Sequence, residues 1–122
     1  MIVCPCGGKE YAACCEPCHR GLNAPDAQRL RRARYSAYVL KLADYLLATW
    51  HASTRPANLD LSADSGKWLG LEIKQYAQKS ADSACVEFVA RHKVAGRAHR
   101  LHELSRFVRE EGRWFYVDGD FL

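Results

Sequence analysis

Five of the six cysteines fall between Cys4 and Cys18, at the spacing of a metal ligand set. The string reads Cys4-Pro5-Cys6-Gly7-Gly8-Lys9-Glu10-Tyr11-Ala12-Ala13-Cys14-Cys15. Two thiolates separated by one residue face a common ion when the chain turns between them. Pro5 fixes one dihedral, and Gly7-Gly8 permits the reversal that brings Cys14 and Cys15 round to the first pair. Four sulfurs complete a tetrahedron, which is the chemistry of a closed structural ion rather than of a catalytic one. Zinc is the expected cofactor, and iron also accepts four tetrahedral sulfurs. Cys18 and His19 lie close enough in sequence to replace one of the four. Cys85 stands alone and reads as a small buried apolar side chain.

Crowding at one end of the chain argues against a disulfide framework, which would spread its cysteines to close loops and require an oxidising compartment. The 122 residues suit one domain with a small appendage. No apolar run approaches the roughly 18 residues of a membrane span. The opening Met1-Ile2-Val3-Cys4-Pro5 lacks the basic and hydrophobic regions of a signal peptide, so a cytoplasmic location is expected. Net charge is +4, from 18 basic and 14 acidic side chains. Four thiolates around one divalent ion lower that by about 2. Arg29, Arg31, Arg32 and Arg34 crowd one segment; Arg91, Lys93, Arg97, Arg100, Arg106 and Arg109 crowd another. Both read as solvated faces, because no exposed aromatics interleave with them as in a single-strand-binding surface. Contact with RNA or the ribosome is the alternative.

The elements that must position these residues follow from periodicity. Residues 1–20 form the knuckle and 21–25 a linker into a domain over residues 25–122. Pro25 suits a first helical position and Asp26 complements the helix dipole. Leu30, Ala33, Ala37 and Leu40 then recur at helical spacing. A second helix is expected over Ala43–His51, with Leu46, Leu47 and Trp50 buried. Residues 53–66 read as loop, with room for one helical turn. From Lys67 the period becomes two, with Leu69, Leu71 and Ile73 on one face and Trp68, Gly70 and Glu72 on the other. Further strands are expected over Cys85–Arg91, Ala98–Arg109 and Trp114–Asp118. Ala81-Asp82-Ser83 reads as a turn, and Val94–Arg97 and Glu110–Arg113 as hairpins. Helices followed by consecutive antiparallel strands give an α+β class, with the helices on one face of a curled sheet.

A fold of that kind can enclose a pocket. Its polar candidates are Tyr35, Tyr45, His51, His102, Glu103 and Arg106, and its candidate walls are Trp50, Trp114 and Tyr116. On a regular strand Glu103 points opposite His102, so the two do not line one cavity. His51 is placed to meet the carbonyls at a helix end.

Cys-Pro-Cys-Gly followed by Tyr-x-x-Cys-Cys resembles the SEC-C motif, the zinc knuckle of the preprotein translocase motor. Arg34–Val39, Asp44–Leu46 with Thr49–His51, and Ser105–Phe107 with Trp114–Gly119 resemble the YchJ-like family of bacterial proteins, over nearly the whole chain. That resemblance implies an NTF2-like domain, a cone of helices against a curved sheet, and places the ligands on Cys4, Cys6, Cys14 and Cys15. The knuckle departs from the usual pattern by one residue fewer between Cys6 and Cys14. It further implies a non-enzymatic interaction module whose partner is a chaperone, the ribosome or the export machinery. A small-molecule or enzymatic pocket protein is the second expectation, and RNA contact through the arginine-rich segments the third.

Overall fold

The computed structural model describes residues 2–61 and 66–122. The knuckle opens as a miniature hairpin: Val3 pairs with Glu10, and the Tyr11 amide donates to the Ile2 carbonyl at 2.8 Å. A 3-10 turn over Tyr11–Ala13 and the short helix α1, Glu16–His19, follow.

Helix α2 spans Ala27–Leu40. Asp26 is its N-cap, with its carboxylate accepting from the Arg29 amide at 2.7 Å, so Pro25 precedes the cap instead of occupying the first turn. The carboxylate satisfies an amide that the helix leaves orphaned, a task proline cannot perform. The helix ends at Lys41, whose φ of 60° is left-handed. Ala27, Leu30, Ala33 and Ala37 are buried as the period requires, whereas Leu40 in the last turn is exposed.

Helix α3 covers Ala43–Ala48 and stops short of the expected His51. Thr49–His51 instead pair with the last strand: the Tyr116 amide donates to the Thr49 carbonyl at 2.9 Å, and the His51 amide to the Tyr116 carbonyl at 2.7 Å. Two inter-strand bonds replace the last helical turn. The loop expected over residues 53–66 is irregular where described, and positions 62–65 lie outside the described residues.

Four antiparallel strands follow in sheet order β1-β2-β3-β4: β1 Lys67–Ser80, β2 Ser83–Val94, β3 Arg97–Glu110 and β4 Arg113–Phe121. Ala95-Gly96 and Glu111-Gly112 all take positive φ, the two-residue turn whose twist matches the strands it joins. The start of β1 departs from simple alternation. A bulge between Trp68 and Gly70 puts Leu69 out to solvent and leaves Trp68 inward, against Tyr35 and Tyr38 of α2. The architecture is α+β, with helices seated in the concave face of the sheet. The knuckle cysteines and Leu30 join Phe88, Phe107 and Trp114 in one buried cluster. No helix among the described residues is long and apolar enough to cross a membrane.

Candidate functional site

The knuckle brings four cysteines together. The Sγ atoms of Cys4, Cys6, Cys14 and Cys15 all lie within 4.8 Å of one another. Cys4 and Cys6 are separated by 3.5 Å, and Cys6 and Cys14 by 3.6 Å. Thiolates about 2.3 Å from a tetrahedral centre stand about 3.8 Å apart along each edge, so the donor set fits a zinc-sized ion. Cys4, Cys6 and Cys15 are buried and Cys14 half-buried. The two glycines do different work. Gly7 takes a φ of +94°, which side chains resist, and Gly8 leaves room for the Cys14 sulfur.

One face of α2 supports these sulfurs. Arg29 donates from Nη2 to Cys15 Sγ at 3.1 Å and to Cys14 Sγ at 3.3 Å. Ser36 Oγ donates to Cys15 Sγ at 3.2 Å, and Arg32 Nη1 donates to the Cys6 carbonyl at 3.2 Å. Burial alone would push Arg29 down, but the adjoining Cys15 and Cys14 sulfurs outweigh it and hold its pKa above the ordinary value. Within the cluster the thiols share protons. The hydrogen bond with Cys15 holds Cys6 down to about 4, and the same contact pushes Cys15 well up. A divalent cation bound by all four would remove that competition.

The two sequence alternates lie beside the cluster. His19 Nε2 donates to the Ala33 carbonyl at 2.8 Å, which fixes the tautomer and leaves Nδ1 to accept from the Tyr11 hydroxyl at 2.6 Å. Both ring nitrogens are thereby occupied, and burial lowers the pKa of the imidazole. Cys18 is buried, and that burial raises its thiol. Cys85 is only half-buried.

A second feature lies between α2 and the concave sheet: a cavity of about 330 Å³. Of the residues expected to line a pocket, Tyr35, Trp50, Glu103 and Tyr116 do so. Tyr45 and Trp114 instead line a separate cleft between the knuckle and α3. His51 turns outward, pairing with Glu110 at 2.7 Å rather than with helix carbonyls. His102 pairs with Glu87 at 2.7 Å, and Arg106 pairs with Asp118 and Asp120 at 2.6 and 2.8 Å. Glu103, on the opposite face of β3 from His102, is buried against the cavity and accepts from Ser105. Gly119 makes room for it, since a Cβ there would collide with the Glu103 carboxylate.

The largest correction concerns the first arginine segment, expected on a solvated face. Arg31 and Arg34 are 6% and 1% exposed and line the cavity. The Arg31 guanidinium lies 4.6 Å from the Phe88 ring centre; that of Arg34 lies 4.7 Å from Tyr116 and 5.0 Å from Trp50. Arg31, Arg34, Tyr35 and Tyr38 recur at helical spacing, which is the signal in the sequence that marks them as one face.

Comparison with known proteins fits this geometry. The family model described as YchJ, middle NTF2-like domain, matches residues 26–119. A UPF0225 protein of Methylibium petroleiphilum is 59% identical over 121 residues, covering 98% of this chain and 88% of the relative. A UPF0225 protein of Bordetella parapertussis is 59% identical over 122 residues, covering 97% and 92%. Among solved structures, a SEC-C motif containing protein from Rhodopseudomonas palustris superposes with a TM-score of 0.87 at 31% identity, covering 99% of both chains. Another, from Psychrobacter arcticus, has a TM-score of 0.84 at 30% identity, covering 97% of this chain and 81% of that one.

Proposed function

The chain belongs to the YchJ-like, UPF0225 family, and on that premise we propose that it is a zinc-binding, non-enzymatic protein-interaction module of the bacterial cytoplasm. One observation carries the reading. Four sulfurs converge into a closed ligand set, while the outer edge of the same knuckle exposes Ile2 and Val3 beside Lys9 and Glu10. An ion enclosed by four protein ligands keeps no position for a substrate, so the knuckle acts through its surface. The likeness to the translocase knuckle supports a partner in the chaperone, ribosome or export machinery. A reducing cytoplasm keeps the thiols available to the metal.

The first test is the metal content of protein purified without chelator or added metal, with thiol counts before and after denaturation. One equivalent of zinc with four protected thiols is expected. Iron would keep the ligands and add a redox role, whereas no metal and six reactive thiols would overturn the reading. Co-sedimentation with ribosomes, comparing the wild type with Ile2→Glu/Val3→Glu, then tests the surface. A second reading, RNA contact, is favoured by the exposed end of the β2–β3 hairpin, where Arg91 and Arg100 stand directly opposite each other. Binding through that end would weaken steeply with salt, and binding through the apolar edge would not.

A further inference from the structure

The cavity under α2 contains two cations that the fold does not explain. The Arg31 side chain makes no hydrogen bond to any described residue, and its Nε is buried without a partner. Arg34 donates through Nη1 to the Leu46 carbonyl and Thr49 hydroxyl, at 2.8 and 2.7 Å, but its Nε is also unpartnered. Trp50 Nε1 is a third buried donor without an acceptor. Burying a donor without an acceptor costs about 1–3 kcal/mol, more for a charged one. Three such donors border one cavity, where an incoming acceptor would satisfy them.

Charge identifies its chemistry. The two guanidiniums, one helical turn apart, line the same cavity as a single buried carboxylate, Glu103, whose charge acts on Arg31. Neither arginine forms an ion pair with it among the described residues. One positive charge is therefore uncompensated in a low-dielectric enclosure. Burial drives the Arg34 guanidinium down to about 10, and the neighbouring charge of Arg31 adds to that, yet it still carries its proton at neutral pH. An incoming anion relieves both costs, and Arg is the side chain that pairs best with a planar carboxylate.

The walls add shape. Tyr35, Tyr38, Trp68 and Phe88 are aromatic, and Ala90 and Leu101 complete an apolar lining. The volume, about 330 Å³, lies at the small end of ligand sites. A free inorganic anion would leave those walls unfilled. Glu103, across the cavity, can accept a hydrogen bond from the far end of the occupant.

We propose that the cone cavity is a binding site for a small organic carboxylate with a flat apolar body. Its carboxylate pairs with Arg31 and Arg34 and accepts from Trp50 Nε1, its body lies among the aromatic walls, and a hydroxyl at its far end donates to Glu103. The site is separate from the metal centre and independent of what the knuckle docks.

The test is a titration of the full-length, zinc-loaded protein followed by amide chemical shifts. The probes are benzoate, para-hydroxybenzoate, indoleacetate, the neutral para-hydroxybenzamide and inorganic phosphate. Saturable shifts at cavity residues are expected from the carboxylates, strongest for the hydroxylated one, with the amide and phosphate weaker by about tenfold or more. Arg31→Gln should lose the preference for carboxylate over amide. Trp50→Phe, which keeps the ring and removes one donor, should weaken binding while leaving the spectrum of the fold intact. No saturable shift from any carboxylate at millimolar concentration overturns the proposal. So does equal binding of acid and amide, or phosphate binding as tightly as benzoate.

Discussion

Gly8 and Cys14 approach so closely that a Cβ built on Gly8 would lie 2.5 Å from the Cys14 sulfur. The clash meets a ligand atom that cannot move without opening the cluster. Gly8→Ala should therefore weaken zinc about tenfold or more in a chelator competition, an effect of the order seen when a metal site's supporting geometry is disturbed. Gly7→Ala is the contrast, because nothing lies within 4 Å of its Cβ position. It should cost about 1 kcal/mol of stability from its positive φ. Equal metal affinity for wild type and Gly8→Ala would show that the loop yields instead of the ligand.

Arg29→Met keeps the aliphatic stem and removes the two hydrogen bonds to Cys14 and Cys15. Supporting contacts of this kind are worth about 10–100-fold in metal affinity. Zinc should leave the variant faster under chelator, with the helix content of the metal-loaded form unchanged. A wild-type release rate would reduce Arg29 to a bystander.

The two cavity arginines should part in a denaturation experiment. Arg34→Met removes the charged donor to the Leu46 carbonyl and the Thr49 hydroxyl, which keeps its own bond to the Tyr45 carbonyl, and should cost about 2 kcal/mol. Arg31→Met strands no partner and removes a buried charge, so stability should hold or rise, minus the contact with Phe88. Equal losses in both variants would make Arg31 a structural residue.

His19 titrates with a definite sign. Burial lowers its folded-state pKa below 6.5, the value of the unfolded chain. The unfolded state then binds more protons as pH falls through that window. The contribution of His19 is complete above 6.5 and is lost on acidification. Ring carbon shifts should show His19 still mostly neutral at pH 6.5, where an unburied imidazole is half protonated. A midpoint at or above that value would contradict the burial of the ring, since the bond to the Ala33 carbonyl by itself favours the protonated form.

The knuckle was legible in the sequence because its four clustered cysteines lie within twelve residues, where spacing alone limits geometry. The hairpins were equally plain, since Ala95-Gly96 and Glu111-Gly112 demand backbone that few dipeptides supply. Opposite orientation of His102 and Glu103 followed from strand alternation and holds in the structure. What stayed hidden depended on partners far along the chain. Nothing near Thr49–His51 announces that β4 will capture that segment, and the one cue to the bulge at Leu69 is the glycine beside it, Gly70. Arg31 and Arg34 misled for a related reason. A guanidinium is expected in water, and only the rings of Phe88, Trp50 and Tyr116 from other elements give it a place indoors.

Helix α2 has almost no side left for solvent. Positions 27, 30, 33 and 37 fill the core, 29, 32 and 36 serve the sulfurs, and 31, 34, 35 and 38 wall the cavity. Three tasks thus occupy eleven of its fourteen residues and Val39 packs against the core, leaving Gln28 and Leu40 as the positions free to drift. A surface helix ordinarily tolerates change over half its circumference. This one behaves instead like a shared beam, whose sequence is answerable to two features at once, so that neither the cysteine cluster nor the cavity can be remodelled along it without disturbing the other.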